Sequence, residues 1–369
     1  MSLHYIDNFA DRLGPEKIVH IYEPQSQLRA IVVIDNMALG TAIGGCRMAA
    51  DVTTREVFRL ARAMTMKNAI SDLPFGGGKS AILADPKCAN KETLVRVFAQ
   101  SIKHLAEYIP GPDMGTDEEC MAWIHAEIGR AIGLPKSMGG LPMDELGATG
   151  FGVAVSADIA CEQYGLPLKN ARVVIQGFGN VGRAAAKFLT QRGARVIGVS
   201  DIGGALLNTE GIDIPALIEK TRSGTGVADS GLGMALMSRE ELLEVESDLF
   251  IPAARPDVIS NINQHALKTR LIIEAANIPI THEAANALFL RGVHVIPDII
   301  ANSGGVICGA MEYQKCSEAQ AFRRIQETII RNTEELIARV KNQQLPPHEI
   351  ASLMAKERLT EAVAVRNSH

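Results

Sequence analysis

The chain has no apolar run approaching the length of a membrane span and no block of like charge, so neither a bilayer span nor a nucleic-acid-binding face is indicated. Its first residues, "MSLHYIDNFADRLGPEK", mix acids and bases early and lack the apolar core of a secretory signal; we expect a cytoplasmic protein. No two cysteines form a CxxC pair: Cys46, Cys88, Cys120, Cys161, Cys308 and Cys316 are scattered, the pattern of free thiols in a reducing compartment. "HEAAN" at His282 lacks the second histidine of a zincin helix, and we expect no metal. The stretch "PFGGGKSAI" (74–82) ends like a phosphate-binding loop, but the glycine that such a loop needs five positions before Gly78 is Leu73. A P-loop nucleotidase is therefore disfavoured.

What remains is a globular composition, 47% hydrophobic and 21% charged, with a formal net charge of -5 over 369 residues. That length exceeds what one core serves, so we expect an α/β protein of two domains with a cleft between them and small-molecule partners. Val57, Leu60, Ala61 and Met64 recur at helical spacing and predict a helix over 53–68, with Lys67 continuing its apolar edge. That lysine either snorkels to water or serves a buried site. A second helix is expected from Glu92 to Tyr108, and "PFGGGKSAILADP" between the two reads as a glycine turn entering the strand "SAIL". The Gly/Pro-rich segment 141–150 marks a crossing, giving domains of 1–142 and 143–344, with a final helix (about 345–369) packing back on the first.

The second domain alternates strand and helix in a doubly wound pattern: "ARVVIQ" (171–176), a helix closed by Gly193, "ARVIGVSD" (194–201), then apolar strands at 248–254, 270–276 and 293–297. Between the first strand and helix stands Gly177-Phe178-Gly179-Asn180-Val181-Gly182, a GxGxxG fingerprint in its proper strand–turn–helix context. Gly177 allows the tight turn, Gly179 lets a pyrophosphate approach, and Gly182 brings helix against strand. Asp201 closes the next strand, where it would accept the ribose hydroxyls and repel a 2′-phosphate, favouring NAD over NADP. Opposite such a domain, Lys67, Lys79 and Asp113 suit a reaction on a carboxylate-bearing amine: one cation holds the carboxylate, the other acts as base, and the acid carries protons.

With these residues in view the sequence resembles the glutamate/leucine/phenylalanine/valine dehydrogenase family over nearly its whole length. The resemblance rests on "GGCRM" (44–48), "MKNAISDLPFGGGKSAILADP" (66–86), "GPDMGT" (111–116), "GATGFGV" (147–153), "QGFGNVG" (176–182), "IEAAN" (273–277) and "PDIIANSGGV" (297–306). One small departure is Ala81, where the family has glycine or valine. The resemblance implies reversible oxidative deamination of an L-amino acid to a 2-oxo acid and ammonia, in a homo-oligomer whose first domain binds substrate. It implies that Lys67 binds the α-carboxylate, that Lys79, uncharged when it acts, activates water, and that Asp113 moves protons at the amine. Thr149 would hold the nicotinamide carboxamide, and Ala253, Ala276 and Asn277 would line the cofactor.

In the glutamate enzymes of this family a lysine before the first "GG" and a serine after "GGV" grip the side-chain carboxylate; here those positions are Ile43 and Gly309. A buried γ-carboxylate without them would cost several kcal/mol, so an apolar substrate, branched-chain or aromatic, is expected, with glutamate as the alternative. In length and pocket the chain is closest to the leucine and phenylalanine enzymes, whereas "EAANIPIT" and "PDIIANSGG" look closer to the glutamate ones. Gly44, Gly111, Val306 and Asn277 complete the expected substrate site, and the two glycines at 111 and 309 leave room either for a large side chain of the substrate or for neighbouring loops or Met114 to fill. A catalytically silent NAD-binding sensor, the reading from another class, would need none of Lys67, Lys79 and Asp113.

Overall fold

The computed structural model describes residues 10–233 and 235–367, and the chain divides into two compact units. The first holds the described residues up to Met143, joined by Val306–Ala321 and the chain from Met354 on; the second holds Asp144–Gly305 and Phe322–Leu353. Residues 306–321, expected within the dinucleotide domain, thus cluster with the N-terminal unit.

In the first unit the elements are β1 (Lys17–Glu23), β2 (Leu28–Asn36), β3 (Ala42–Met48), α1 (Thr54–Ile70), β4 (Gly76–Ile82), α2 (Lys91–Ser101), β5 (Tyr108–Pro112) and α3 (Glu118–Ile128). The sheet order is β1-β2-β4-β3-β5, with β3 parallel to both β4 and β5. Period-two alternation in β2 sends Ala30, Val32 and Ile34 into a core with Phe98, Tyr108 and Met121, and sends Ile31 and Val33 to Val57 and Ala61 of α1. Thr53 caps α1 by accepting from the Glu56 amide.

Two expectations are corrected here. Gly76, Gly77, Gly78 and Lys79 form no turn but the first half of β4, all buried. Glycine is a poor strand former, and the strand exists because neighbours crowd it: a Cβ on Gly77 would meet the Thr65 backbone at 2.2 Å, and one on Gly78 the Tyr108 ring at 2.9 Å. The helix expected to reach Tyr108 stops at Ser101, and Asp113 follows the strand β5 instead.

The second unit contains α4 (Met143–Leu146, which begins at the division), α5 (Ala148–Gln163), β6 (Arg172–Gln176), α6 (Asn180–Gln191), β7 (Arg195–Asp201), β8 (Gly204–Leu207), α7 (Ile214–Arg222), β9 (Ala235–Met237), β10 (Ser247–Pro252), β11 (Thr269–Ile273), α8 (His282–Leu290), β12 (His294–Ile296) and α9 (Asp298–Ala301). Its sheet order is β12-β11-β10-β6-β7-β8-β9, parallel from β12 to β7 and antiparallel beyond. The strand order reverses at β6, so the carboxyl ends of β6 and β10 flank the switch point. Three more helices close the chain: α10 (Gly304–Tyr313), α11 (Glu318–Gln343) and α12 (Pro347–Asn367), the last opening on proline as helix starts allow. In α12, Arg358 donates to the Ile70 carbonyl of α1. No described helix is long and apolar enough to cross a membrane.

Tyr108 ties the first sheet together beneath the glycines: its hydroxyl donates to the Gly44 carbonyl at 2.8 Å and lies 3.0 Å from the Ser80 hydroxyl, fully buried. Tyr108→Phe is expected to lower the unfolding free energy by about 1–3 kcal/mol, because it leaves buried acceptors without a donor. Urea unfolding followed by circular dichroism measures this, and an unchanged midpoint would show that the hydroxyl contributes nothing.

Candidate active site

The first unit brings two of the expected catalytic groups into direct contact. Lys79, on β4, places its ammonium 3.1 Å from the Asp113 carboxylate just beyond β5. Asp113 is set by its own chain, since its amide donates to the Thr116 hydroxyl, which in turn donates to the Cys46 carbonyl. A third charged residue joins them that the motif reading left unassigned: Arg47 of β3 donates from Nε to the same Asp113 oxygen at 3.0 Å and is also paired with Glu56 of α1. Burial alone would push the Asp113 carboxyl up, but Lys79 and Arg47 outweigh it and hold it below the usual carboxylate range. The signal for Arg47 was its place in β3, parallel to both β4 and β5 and therefore between their ends.

Glycine is required at position 45 for a steric reason. A Cβ there would lie 2.8 Å from Asp113 Cβ and 2.9 Å from the Lys79 ammonium nitrogen. Any side chain would separate the acid from the lysine. Burial pushes the neighbouring Cys46 thiol up to about 12, so it stays protonated and offers no nucleophile here. Lys67 lies in the last turn of α1 with only 6% exposure, a cation held inside rather than snorkelling at the surface.

Around this cluster the expected side-chain positions are apolar. Ile43 is 1% exposed and shares a face of β3 with Gly45, the face that the Lys79 ammonium adjoins. Gly44 sits against the Gly78 carbonyl, which a Cβ would approach to 1.8 Å. Gly111 and Gly309 do not open the large space expected of them. A Cβ on either would meet one side chain, Ile132: at 2.8 Å from its Cγ1 for Gly111 and 2.7 Å from its Cδ1 for Gly309. Ile132 thus fills the gap, and Met143 flanks Gly309 at 3.5 Å on the same measure. Val306, one turn before Gly309 on α10, is half-buried. The sequence offered a trace of this, since two facing glycines in a close-packed interior demand a large partner.

The second unit carries the expected cofactor positions at its strand ends. Gly177 follows β6 with φ +102, and a Cβ there would strike the Ala254 backbone at 2.7 Å. Gly179 caps α6 with no side-chain hydrogen bond to the helix, and a Cβ on it would meet nothing within 4 Å. The first amides of α6 therefore face open space with the positive end of the helix dipole behind them, an arrangement that fits a pyrophosphate. Phe178 is buried, Asn180 bonds Asp144 at 3.1 Å and accepts from Arg183, and Val181 lies in the first turn of the helix. Gly182 packs on the turn, where a Cβ would lie 1.9 Å from the Gly177 carbonyl oxygen.

Asp201, at the end of β7, already accepts from the amides of Gly203 at 2.8 Å and Val227 at 2.7 Å, which orients its carboxylate and leaves lone pairs for a ribose. The Ala253 amide donates to Gln176 of β6, and the Ala276 amide to Pro252 of β10, so the three strand ends are stitched side by side. Asn277 is exposed, and its side-chain oxygen accepts from Asn302 at 3.1 Å. The Thr149 hydroxyl lies beside Gly305, where a Cβ would sit 2.7 Å from it. Among the described residues no group of three or more acidic, histidine or cysteine side chains is arranged to hold a metal.

Both units of the chain match known proteins. Residues 15–130 match the family domain described as the Glu/Leu/Phe/Val dehydrogenase dimerisation domain, and residues 139–366 match the one described as Glutamate/Leucine/Phenylalanine/Valine dehydrogenase. The NADP-specific glutamate dehydrogenase of Saccharolobus shibatae is 40% identical over 293 residues, 75% of this chain and 69% of that protein. The catabolic NAD-specific glutamate dehydrogenase of Bacillus subtilis is 38% identical over 293 residues, 75% of this chain and 68% of its own. Among solved structures, the hetero-hexameric glutamate dehydrogenase of Thermus thermophilus in its leucine-bound form superposes with a TM-score of 0.85 at 28% identity, covering 95% of this chain and 90% of that one. A lysine–aspartate pair on the glycine-thinned sheet, a GxGxxG turn at the switch point and matches along both units lead to one assignment: this chain is an amino acid dehydrogenase of the glutamate/leucine/phenylalanine/valine dehydrogenase family.

Proposed function

We propose that the protein catalyses the reversible, nicotinamide-dependent oxidative deamination of an aliphatic L-amino acid to its 2-oxo acid and ammonia. The observation that carries the aliphatic choice is Ile132 wedged between Gly111 and Gly309, with Ile43 in the position of a carboxylate-binding lysine. A wall of branched apolar side chains rewards burial of a hydrocarbon substrate and penalises a charged one. Because Ile132 occupies the space that the glycines create, branched aliphatic chains suit the site better than aromatic ones.

In this reading the Lys67 ammonium holds the substrate α-carboxylate. Lys79 acts as base toward the water that adds to the imino carbon, and Asp113 accepts and returns the proton of the amine; their 3.1 Å contact gives the proton a direct route between the two sites. Arg47 keeps Asp113 ionised and oriented between turnovers. When bound, the dinucleotide supplies the hydride acceptor. Gly177–Gly182 would receive its pyrophosphate, Asp201 its adenosine ribose, and Thr149, Ala253, Ala276 and Asn277 its nicotinamide end. The Asp201 carboxylate supports NAD over NADP, since a 2′-phosphate would meet a like charge. The match to a domain named for dimerisation supports a homo-oligomer, and we place the protein in the cytoplasm.

A second reading, glutamate dehydrogenase, is favoured by the names of the relatives at 38–40% identity. Initial rates with glutamate, valine, leucine and phenylalanine, each with NAD and NADP, separate the two. We expect leucine or valine with NAD to give the highest kcat/KM, and glutamate in first place would overturn the pocket argument. Asp113→Asn is expected to lower kcat by about 10²- to 10⁴-fold, the range for loss of a general acid–base group. NADH formation at the wild-type rate would remove Asp113 from the mechanism. Ile132→Ala is expected to move preference toward phenylalanine, changing the phenylalanine-to-valine ratio of kcat/KM by roughly 10- to 100-fold, because it removes three carbons from the wall and even one methylene carries discrimination of that order. An unaltered ratio would show that Ile132 does not bound the pocket.

A further inference from the structure

Glu312, buried at 7% exposure on α10, has no part in the chemistry above. Each of its carboxylate oxygens accepts a backbone amide from far away in sequence: Oε1 from Leu134 and Oε2 from Leu141, both at 3.0 Å. The Gly133 amide contributes as well. These donors stand at the two ends of the segment 133–141, whose middle is a single exposed turn of 3-10 helix, Lys136–Met138, followed by Gly139 at φ +83. Ile132 immediately precedes the segment, and Gly309, which Ile132 faces, stands three residues before Glu312 on the same side of α10. One helix face thus carries both the surface that Ile132 packs on and the group that fastens its loop.

We propose that Glu312 is a specificity-positioning residue, which grips both ends of the 133–141 loop and so fixes how far Ile132 fills the space between Gly111 and Gly309. The proposal rests on the reading that the substrate side chain meets Ile132. A carboxylate suits the task because it offers two acceptor oxygens and no donor, matching backbone N–H groups on either side. Burial pushes the Glu312 carboxyl above the usual range and the like-charged Glu118 adds to that, while the backbone amides of Leu134, Leu141 and Gly133 pull the other way. An amide in its place would turn an NH₂ toward one of the two N–H groups. That end of the loop would be released at almost constant side-chain volume.

The test compares wild type, Glu312→Gln and Glu312→Asp in steady-state kinetics with alanine, valine, leucine, phenylalanine and glutamate, alongside limited trypsin digestion at the exposed Lys136. Glu312→Gln is expected to raise KM for the preferred substrate about tenfold with kcat within about twofold, and to shrink the kcat/KM ratio of that substrate to alanine at least about fivefold. Cleavage after Lys136 should become faster. Glu312→Asp keeps both acceptors on a shorter arm and should fall between, and it carries the test if the glutamine variant does not fold. An equal loss of kcat/KM on every substrate would mean a merely structural role. An unchanged substrate ratio with faster cleavage would mean that the loop is freed without consequence for selection, and either result overturns the proposal. Wild type preferring glutamate would refute the aliphatic reading separately, because the positioning role is then read from the glutamate-to-alanine ratio.

Discussion

The site depends on one close approach of backbone: β3 lies against Lys79 and Asp113 at Gly45 with no room for a single carbon. That absence lets a lysine from β4 and an aspartate from the end of β5 meet across the strand between them. The assembly costs desolvation, because Asp113 and Lys79 are both largely removed from water. It is offset by charge balance: Lys79 and Arg47 face Asp113 and Glu56, two cations against two anions in one connected cluster. A lone Lys–Asp pair with the same burial would be held less firmly and would leave the carboxylate freer to rotate. Arg47 is therefore as much a condition of the geometry as Gly45.

The dinucleotide unit solves the opposite problem, keeping backbone groups unsatisfied where a ligand is to come. The first amides of α6 have no side-chain cap. The turn after β11 is held from behind instead: Asn302 donates to the carbonyls of Ala275 and Ala276, and Asp298 accepts the amide of Ile278. Ile278 has φ +49, a left-handed conformation that a β-branched residue adopts only under constraint. Behind Asp298, the buried Glu274 accepts its amide and pairs with His348 at the start of α12. Strain at Ile278 and a chain of buried polar contacts thus converge on the residues flanking Asn277.

The parts of this arrangement that were legible in the sequence are those governed by local periodicity. β6, α6 and β7 fall where the apolar runs and Gly193 put them, because in a buried parallel sheet each strand is an unbroken apolar run and each turn is marked by glycine. The glycine strand β4 reads as a turn in the sequence, since glycine opposes strand formation locally and its use is explained by distant groups pressing from outside, the Asn36 carbonyl on Gly76, Thr65 on Gly77 and Tyr108 on Gly78. The segment after Ser101 reads as helix in the sequence because Ile102 and Leu105 continue the apolar spacing of α2, whereas the chain turns there before entering β5 at Tyr108. Lys79 and Asp113 are legible by motif, while Arg47, in the quoted motif "GGCRM", gains its role only when β3 is seen to run between β4 and β5. Ile132 had no motif at all. Its position follows from space left by two glycines nearly two hundred residues apart.

That last point bears on how far similarity can fix a substrate. Identity of 38–40% is counted over 293 positions, far more than the few that line a substrate pocket. In the proposed reading, side-chain selection rests on a handful of positions, Ile43, Gly111, Ile132, Val306 and Gly309, none of which carries a charge or a hydroxyl. A carboxylate brought against such a surface forfeits its hydration without a partner, a penalty of roughly 2–7 kcal/mol even for a neutral polar group and more for an ion. Each 1.4 kcal/mol is about a factor of ten in kcat/KM, so even the lower part of that range discriminates between substrates, because the contribution of the α-carboxylate and amine, which every L-amino acid presents alike, cancels in the ratio. On the proposed function, the scaffold shared with the family carries the reaction, and the few apolar side chains beside it select the amino acid that undergoes it.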